Sequence, residues 1–337
     1  MIFVTGGTGL VGSHLLYKLT KSNDNIIALK QKTSNINNVK YIFSIYEKNY
    51  EKLFNKIRWI NGDIRNNLLL NDITKDISTI YHTAAFVSYN KRHKQKIYDI
   101  NVNGTKNIVN ACLQNNINEL CYISSISSLG ENNNNPITEE TCWKENNNTN
   151  YSKSKYLAEL EVWRGIAEGL NTIIINPSVI LGPGFWNKGS SAIFTTIKNN
   201  LKYYTNGSTG FVDVRDVVEI LINLKNKKAY NTRFIVSSEN INYKDIFIYI
   251  AKKLNSKPPK KYATPTLTKI AYNIEHIKSF LLNTNPLITK ETAITAHKKL
   301  LYSNKKIINF LNFKFIPIND SIDFTSEIFN NQQYTTK

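Results

Sequence analysis

Short apolar runs alternate with amphipathic stretches along the first half of the chain. Ile2-Phe3-Val4, Ile26-Ile27-Ala28-Leu29, Trp59-Ile60, Thr79-Ile80-Tyr81, Leu120-Cys121-Tyr122-Ile123 and Thr172-Ile173-Ile174-Ile175 are brief and rich in β-branched and aromatic residues, so they read as strands. Between them, Ser13 to Thr20, Asn101 to Cys112 and Tyr151 to Val162 repeat apolar residues at helical spacing. Strands alternating with helices predict an α/β fold, a parallel sheet covered on both faces. On the helix that opens at Tyr151, the spacing puts Tyr151, Lys155, Ala158 and Val162 on one face, expected to carry a site. Tyr156, Leu160, Trp163 and Ala167 fall on another, expected to face the core.

The ends of these strands carry the candidate chemistry. The first breaks into Thr5-Gly6-Gly7-Thr8-Gly9-Leu10-Val11-Gly12 and then a helix. Glycines at 6, 9 and 12 permit a tight turn, close approach of a pyrophosphate and packing of helix on strand, while the helix N-terminus supplies amide donors. Gly6, Thr8, Gly9, Leu10, Val11 and Gly12 are therefore candidate dinucleotide contacts. The second strand ends in Lys30-Gln31-Lys32, where an NAD site places an acid for the ribose 2′-hydroxyl. A lysine attracts a 2′-phosphate, so Lys30 favours NADP(H) over NAD(H). Asp63, followed by Ile64, is placed to accept from an adenine amino group, and Ala84 and Ala85 are small enough for close cofactor approach. His82, alone at a strand end, reads as structural.

Tyr151 and Lys155 stand four apart, a spacing that on a helix brings an ammonium near a phenol and favours its ionised form. Such a pair can move a proton to or from an oxygen; in a chain this rich in Lys and Tyr it can also be plain surface. Ser124 and Ser125 directly follow a buried strand, which suits either a ligand oxygen or an ordinary turn.

Composition narrows the classes. A hydrophobic fraction of 41% and a charged fraction of 20% are those of a globular protein. No apolar run approaches the roughly 20 residues of a membrane span, and the opening residues lack a basic leader, so a cytoplasmic protein is expected. Cys112, Cys121 and Cys142 show no paired spacing, and neither a metal site nor a disulfide is expected. The net charge of +18 invites a nucleic-acid partner. The basic residues are dispersed among Asn tracts such as 132–135 and 146–148, however, and read as a solvated surface, with no nucleic-acid or membrane partner expected.

Taken together, the glycine loop, Gly62-Asp63-Ile64-Arg65, His82-Thr83-Ala84-Ala85, Asn101-Val102-Asn103-Gly104-Thr105, Ser124-Ser125, Tyr151 with Lys155, Pro177-Ser178 and Gly182-Pro183-Gly184 resemble the extended short-chain dehydrogenase/reductase superfamily, also called the NAD-dependent epimerase/dehydratase family. The resemblance implies a Rossmann-type doubly wound sheet over residues 1–180 and about 210–236. It also implies a smaller mixed substrate-binding lobe from about 181–209 and 237–330, with Trp186, Tyr203, Tyr204 and cap helices near 266 to 300. It further implies that Tyr151 is the general acid/base, that Lys155 lowers its pKa and holds the nicotinamide ribose, and that Ser125 bonds the substrate oxygen. Pro177, Ser178 and Val179 would border the nicotinamide.

Within the family two branches compete. Sugar-nucleotide epimerases and dehydratases retain NAD; reductases resembling dihydroflavonol reductase exchange NADP(H). Lys30, the helix Ser154-Lys155-Tyr156-Leu157-Ala158-Glu159 with Trp163, and Thr209-Gly210-Phe211 favour the second, because many sugar-nucleotide enzymes carry Arg-Asp-Tyr/Phe ahead of the segment aligned with Val212-Asp213-Val214. The expected partner is a small molecule, with a homodimer left open. A non-catalytic NADP-sensing or RNA-binding relative is the remaining alternative; such proteins often lack the Tyr and Lys kept here.

Overall fold

In a computed structural model, all residues are described except Asp24, 133–135, 146–148, 282–288 and 336–337. Most of the Asn tract at 132–135 and all of that at 146–148 thus lie outside the described residues. Seven parallel strands form the main sheet: β1 (Ile2–Thr5), β2 (Ile26–Lys30), β3 (Ile57–Asn61), β4 (Thr79–His82), β5 (Glu119–Ile123), β6 (Thr172–Pro177) and β10 (Thr232–Val236). Their order is β10-β6-β5-β4-β1-β2-β3, so the winding direction reverses between β1 and β4, where Thr5 lies opposite His82. In such a sheet, ligands sit in the crevice at the carboxyl ends beside this reversal.

Alternate strand residues feed two cores. Val4, Ala28, Tyr81 and Cys121 pack with Leu15, Leu16, Phe43, Val217 and Leu221 on one face. Phe3, Ile27, Ile80 and Leu120 pack with Leu70, Ile108, Val109, Ala158 and Val162 on the other. Because both faces are buried, the strands read as continuous apolar runs.

Beyond residue 178 the chain adds β7 (Val179–Leu181), β8 (Tyr203–Tyr204), β9 (Ser208–Asp213), β11 (Glu239–Asn242) and β12 (Lys261–Tyr262). Strands β11, β9 and β7 make a mixed sheet, and β12 pairs with β8. A separate core joins Leu181, Phe194 and Phe211 to Ile250, Ile322 and Phe329. Helices Pro265–Leu281 and Lys290–Thr295 fall where cap helices were expected. No helix among the described residues is long and apolar enough to cross a membrane.

Two local readings change. The helix around Asn101 starts earlier than its apolar spacing indicates: a turn at Lys94–Tyr98 passes through a π-helical stretch, Asp99–Asn103, before the α-helix Gly104–Gln114. On the helix Asn150–Ala167, the face expected to carry a site is a core face. Tyr151, Lys155, Ala158 and Val162 are buried together, whereas Leu160 is 44% exposed and Ala167 is exposed. The helix packs beside Gly104–Gln114 over the sheet, so one stripe both fills the core and reaches the strand ends. Trp163 packs in part against the core, as expected, and its indole reaches Glu159, while Tyr156 stacks on Trp143 with ring centroids 4.5 Å apart.

Candidate active site

The glycine turn closes on itself and on the neighbouring strand. Gly6 has φ +71°, a conformation that favours glycine, and its amide neighbour Gly9 donates to Gly6 O at 2.8 Å. A Cβ on Gly12 would lie 2.1 Å from Gly6 O, and one on Gly6 would lie 2.5 Å from Ala84 N. Helix Leu10–Ser22 therefore begins hard against β1, with Gly9 as N-cap and no side-chain cap. The first-turn amides of Leu10, Val11 and Gly12 have no intrahelical acceptor, which fits them to a pyrophosphate. The Thr8 and Ser34 hydroxyls lie 3.4 Å apart beside this turn. Ala84 stands across the crevice, with Ala85 next to it.

At the edge of the cleft, Lys30 Nζ donates to Asn61 Oδ1 at 2.7 Å. Asp63 is more engaged than its sequence position suggests: it accepts from Arg65 N, Nε and Nη2 and from Gln31 Nε2, and the Arg65 contacts hold its carboxyl below the usual range. Ile64 is buried beneath, against Gly104. Pro177 and Ser178 are buried where β6 ends, and Ser178 N donates to Val236 O at 3.0 Å; Val179 is half-buried and pairs with Phe211.

Tyr151 is 9% exposed, with Ser125 close enough to its phenol to act against the effect of burial. Ser125 Oγ accepts from Ser127 N at 3.1 Å. Ser124 is committed elsewhere: its Oγ donates to Glu159 Oε2 at 2.5 Å. Of the two serines, the structure brings only Ser125 to Tyr151.

Lys155 departs from the expected arrangement. Its Nζ donates to Tyr122 Oη at 3.0 Å and to Ile123 O at 2.9 Å, and sits 4.6 Å from the Tyr122 ring centroid. The Tyr151 phenol is pushed up, not down: burial dominates, Tyr89 adds to it, and Ser125 opposes only in part. Burial also lowers Lys155, to about 7, with Glu159 acting in the opposite direction. Helical spacing brought the two side chains to one face, but the nearest acceptors for the ammonium belong to β5.

Sequence reasoning missed the network beneath. Glu159 is 2% exposed and accepts from Ser124, Ser128 (2.7 Å), Asn176 Nδ2 (2.8 Å) and Arg233 Nη1 (2.8 Å). Burial would raise its carboxyl, but these donors outweigh that and hold it low. His82 is fully buried between Thr5 Oγ1 (2.6 Å) and Thr105 Oγ1 (3.0 Å). Because Thr105 donates its own proton to Asn101 O at 2.6 Å, His82 Nε2 must be the donor to Thr105 and Nδ1 the acceptor from Thr5. Asn101 in turn donates to Phe86 O and Ser154 Oγ and accepts from Phe86 N.

The aromatic ring that meets Tyr151 comes from outside the lobe segments. Trp186 is packed edge-on against Phe329, and Tyr203 lies on the exposed two-stranded sheet with Tyr204. Tyr89 meets the Tyr151 ring edge-on at 5.8 Å. Tyr243 and Tyr302 both lie beside Thr209 and within electrostatic reach of Tyr89. They come from segments 59 to 213 residues apart in sequence numbering along with Tyr89, and no motif joins them.

Comparison with known proteins follows the same lines. The model of the NAD dependent epimerase/dehydratase family matches residues 2–235. The chain is 24% identical to a putative dihydroflavonol 4-reductase of Synechocystis sp., over 98% of this chain and 95% of that one. It is 26% identical to sterol demethylase protein B of Methylococcus capsulatus, over 78% and 76%. In fold it is similar to dTDP-glucose 4,6-dehydratase from Streptomyces venezuelae, solved with NAD and TYD bound, at a TM-score of 0.77 and 16% identity over 98% and 97% of the chains.

Proposed function

The chain belongs to the NAD-dependent epimerase/dehydratase family, and from that premise we propose that it is an NADP(H)-dependent carbonyl reductase or alcohol dehydrogenase acting on a neutral small molecule. The observation that carries the choice of branch is the surroundings of Thr209. Where many sugar-nucleotide enzymes carry an arginine for the diphosphate, Thr209 is 5% exposed and lies beside the phenols of Tyr243 and Tyr302. A side chain at Gly210 would meet Ser237 Oγ at 2.3 Å and Ser178 Cβ at 2.9 Å. The nearby cation Lys298 is paired with Glu131 at 2.5 Å. Among the described residues, position 209 itself thus offers a diphosphate a hydroxyl and no cation.

In this reading the first-turn amides at Leu10, Val11 and Gly12 hold the pyrophosphate, with Gly6, Thr8 and Gly9 shaping the turn. Asp63, Ile64, Ala84 and Ala85 border the adenosine half, Lys30 draws a 2′-phosphate, and Pro177, Ser178 and Val179 flank the nicotinamide. The bound cofactor supplies a hydride. The Ser125 hydroxyl orients the substrate oxygen, and the Tyr151 phenol gives that oxygen its proton in reduction and takes it back in oxidation. A neutral phenol at rest, as its burial dictates, is the form that can donate. Lys155 contributes a positive charge beside the developing oxyanion and a donor toward the ribose. Residues 1–180 with about 210–236 form the cofactor domain, and about 181–209 with 237–330 the substrate lobe, of a cytoplasmic enzyme.

The test is a screen of purified protein against neutral ketones and aldehydes with NADPH and NADH, beside an assay for tightly retained NAD and for binding of UDP. Turnover with NADPH preferred is expected. Retained NAD without net turnover, together with UDP binding, would place the chain with the sugar-nucleotide branch.

A further inference from the structure

We propose that Tyr122 is the positioning residue of Lys155: its hydroxyl and ring together set where the ammonium sits and leave a single donor for the cofactor side. The inference rests on the assignment of Lys155 to the cofactor site. Two of the three Nζ hydrogens are taken by Tyr122 Oη (3.0 Å) and Ile123 O (2.9 Å), both on β5, and the aromatic face lies 4.6 Å from the nitrogen. Tyr122 has little freedom to move. It is 1% exposed and stacked on His82 at 5.5 Å and 29°. Thr105 is held by His82 and by Asn101 O. Thr5, Thr105 and the π-helical turn at Asn101 thus fix the imidazole on which the Tyr122 ring stacks, and the Tyr122 hydroxyl in turn holds the lysine.

A core tyrosine would need none of this. A phenylalanine would fill the same space against His82, whereas the hydroxyl is spent on an ammonium. Burial keeps the Tyr122 phenol well above its usual range, so it meets Lys155 as a neutral acceptor. The ionisable groups facing the ammonium are Tyr122 on β5, His82 on β4, and Glu159 on its own helix. Glu159 favours the charged lysine, and its carboxylate is saturated by other donors, which leaves Tyr122 as the side chain that directly holds the ammonium.

The test measures NADPH affinity of the full chain by nicotinamide fluorescence across pH 6–10 for wild type, Tyr122→Phe, Lys155→Met and the double variant, with NADH as probe should it bind more tightly. Affinity should fall as pH rises through the titration of Lys155. Tyr122→Phe should move that midpoint to lower pH by about half a unit to one unit and weaken binding about 3- to 10-fold near pH 8. On the Lys155→Met background it should change affinity less than about 2-fold. If Tyr122→Phe does not fold, 4-fluorophenylalanine at position 122, closer in volume to tyrosine, replaces it. An unmoved midpoint, or equal weakening with and without Lys155, overturns the proposal. Because the readout is binding, absence of carbonyl reduction would count against the proposed activity while leaving this result readable.

Discussion

Glu159 and Arg233 meet at 2.8 Å beneath the serine loop, with side-chain exposures of 3% and 21%. The pair joins the helix that carries Tyr151 to β10, while Ser124, Ser128 and Asn176 tie the same carboxylate to the end of β5, the loop after it and β6. Arg233 also donates through Nε to Glu139 O at 2.9 Å. Arg233→Ala strands a buried carboxylate and should destabilise the protein by about 3–5 kcal/mol, read from urea unfolding. A loss under about 1 kcal/mol would mean that the neighbouring hydroxyls and amide suffice alone.

On the proposed mechanism, in which Tyr151 is the proton donor, Tyr151→Phe should leave NADPH affinity within about 3-fold and lower turnover about 10²- to 10⁴-fold. Ser125→Ala should act in the same direction more weakly, and Ser124→Ala should show itself in thermal stability, because its hydroxyl serves Glu159. Steady-state kinetics beside melting curves separate the three.

Lys155 is held at about 7, far below its ordinary value near 10.5, chiefly by burial. The sign follows directly. Below pH 7 the lysine is charged in both states and the burial penalty is fully present. Between 7 and 10.5 the unfolded chain binds the extra proton, so stability rises with pH, and above 10.5 the penalty is gone. Lys155→Met should therefore be more stable than wild type near neutrality, by about 1–3 kcal/mol, with the gap closing toward pH 10. Paired denaturation curves at pH 7 and 9.5 check this; a gap independent of pH would contradict it.

Two buried histidines make the protein acid-sensitive. Burial lowers His82 to about 3, aided by Lys155, and lowers His14 to about 4 against the pull of the Pro183 carbonyl. Each is neutral when folded and protonates on unfolding near 6.5, so stability is lost as pH falls below that value. Asp216 acts in the opposite sense, because burial raises it to about 7 and the folded state then holds its proton. Two histidines against one carboxyl leave a net loss of about 1 kcal/mol per pH unit between 6 and 4.5. Asp216→Asn, which can keep the acceptor for Ile316 N, should steepen that loss in pH-dependent melting.

Gly12→Ala would place a Cβ 2.1 Å from Gly6 O, a backbone atom that cannot swing away. The helix must shift off β1, so cofactor affinity should fall at least about 10-fold, with a loss of about 1–3 kcal/mol in stability. Titration with NADPH and a melting curve measure both.

The alternation of strands and helices, the glycine turn and the stripe holding Tyr151 and Lys155 were all legible in the chain, because each depends on residues close in sequence and on a fixed period. The shortness of every apolar run likewise spoke against a membrane-span pattern. What tertiary structure alone decided are relations between segments far apart. Packing chose Ser125 over Ser124 by committing the latter to Glu159, and gave Lys155 an acceptor on β5 in place of the phenol one helical turn away. It made the face expected to carry a site a core face, and gathered Tyr89, Tyr243 and Tyr302 from three segments. Periodicity states which side chains share a face; which partner each one meets, and whether burial or a neighbouring charge then dominates, is set by what the fold packs against that face.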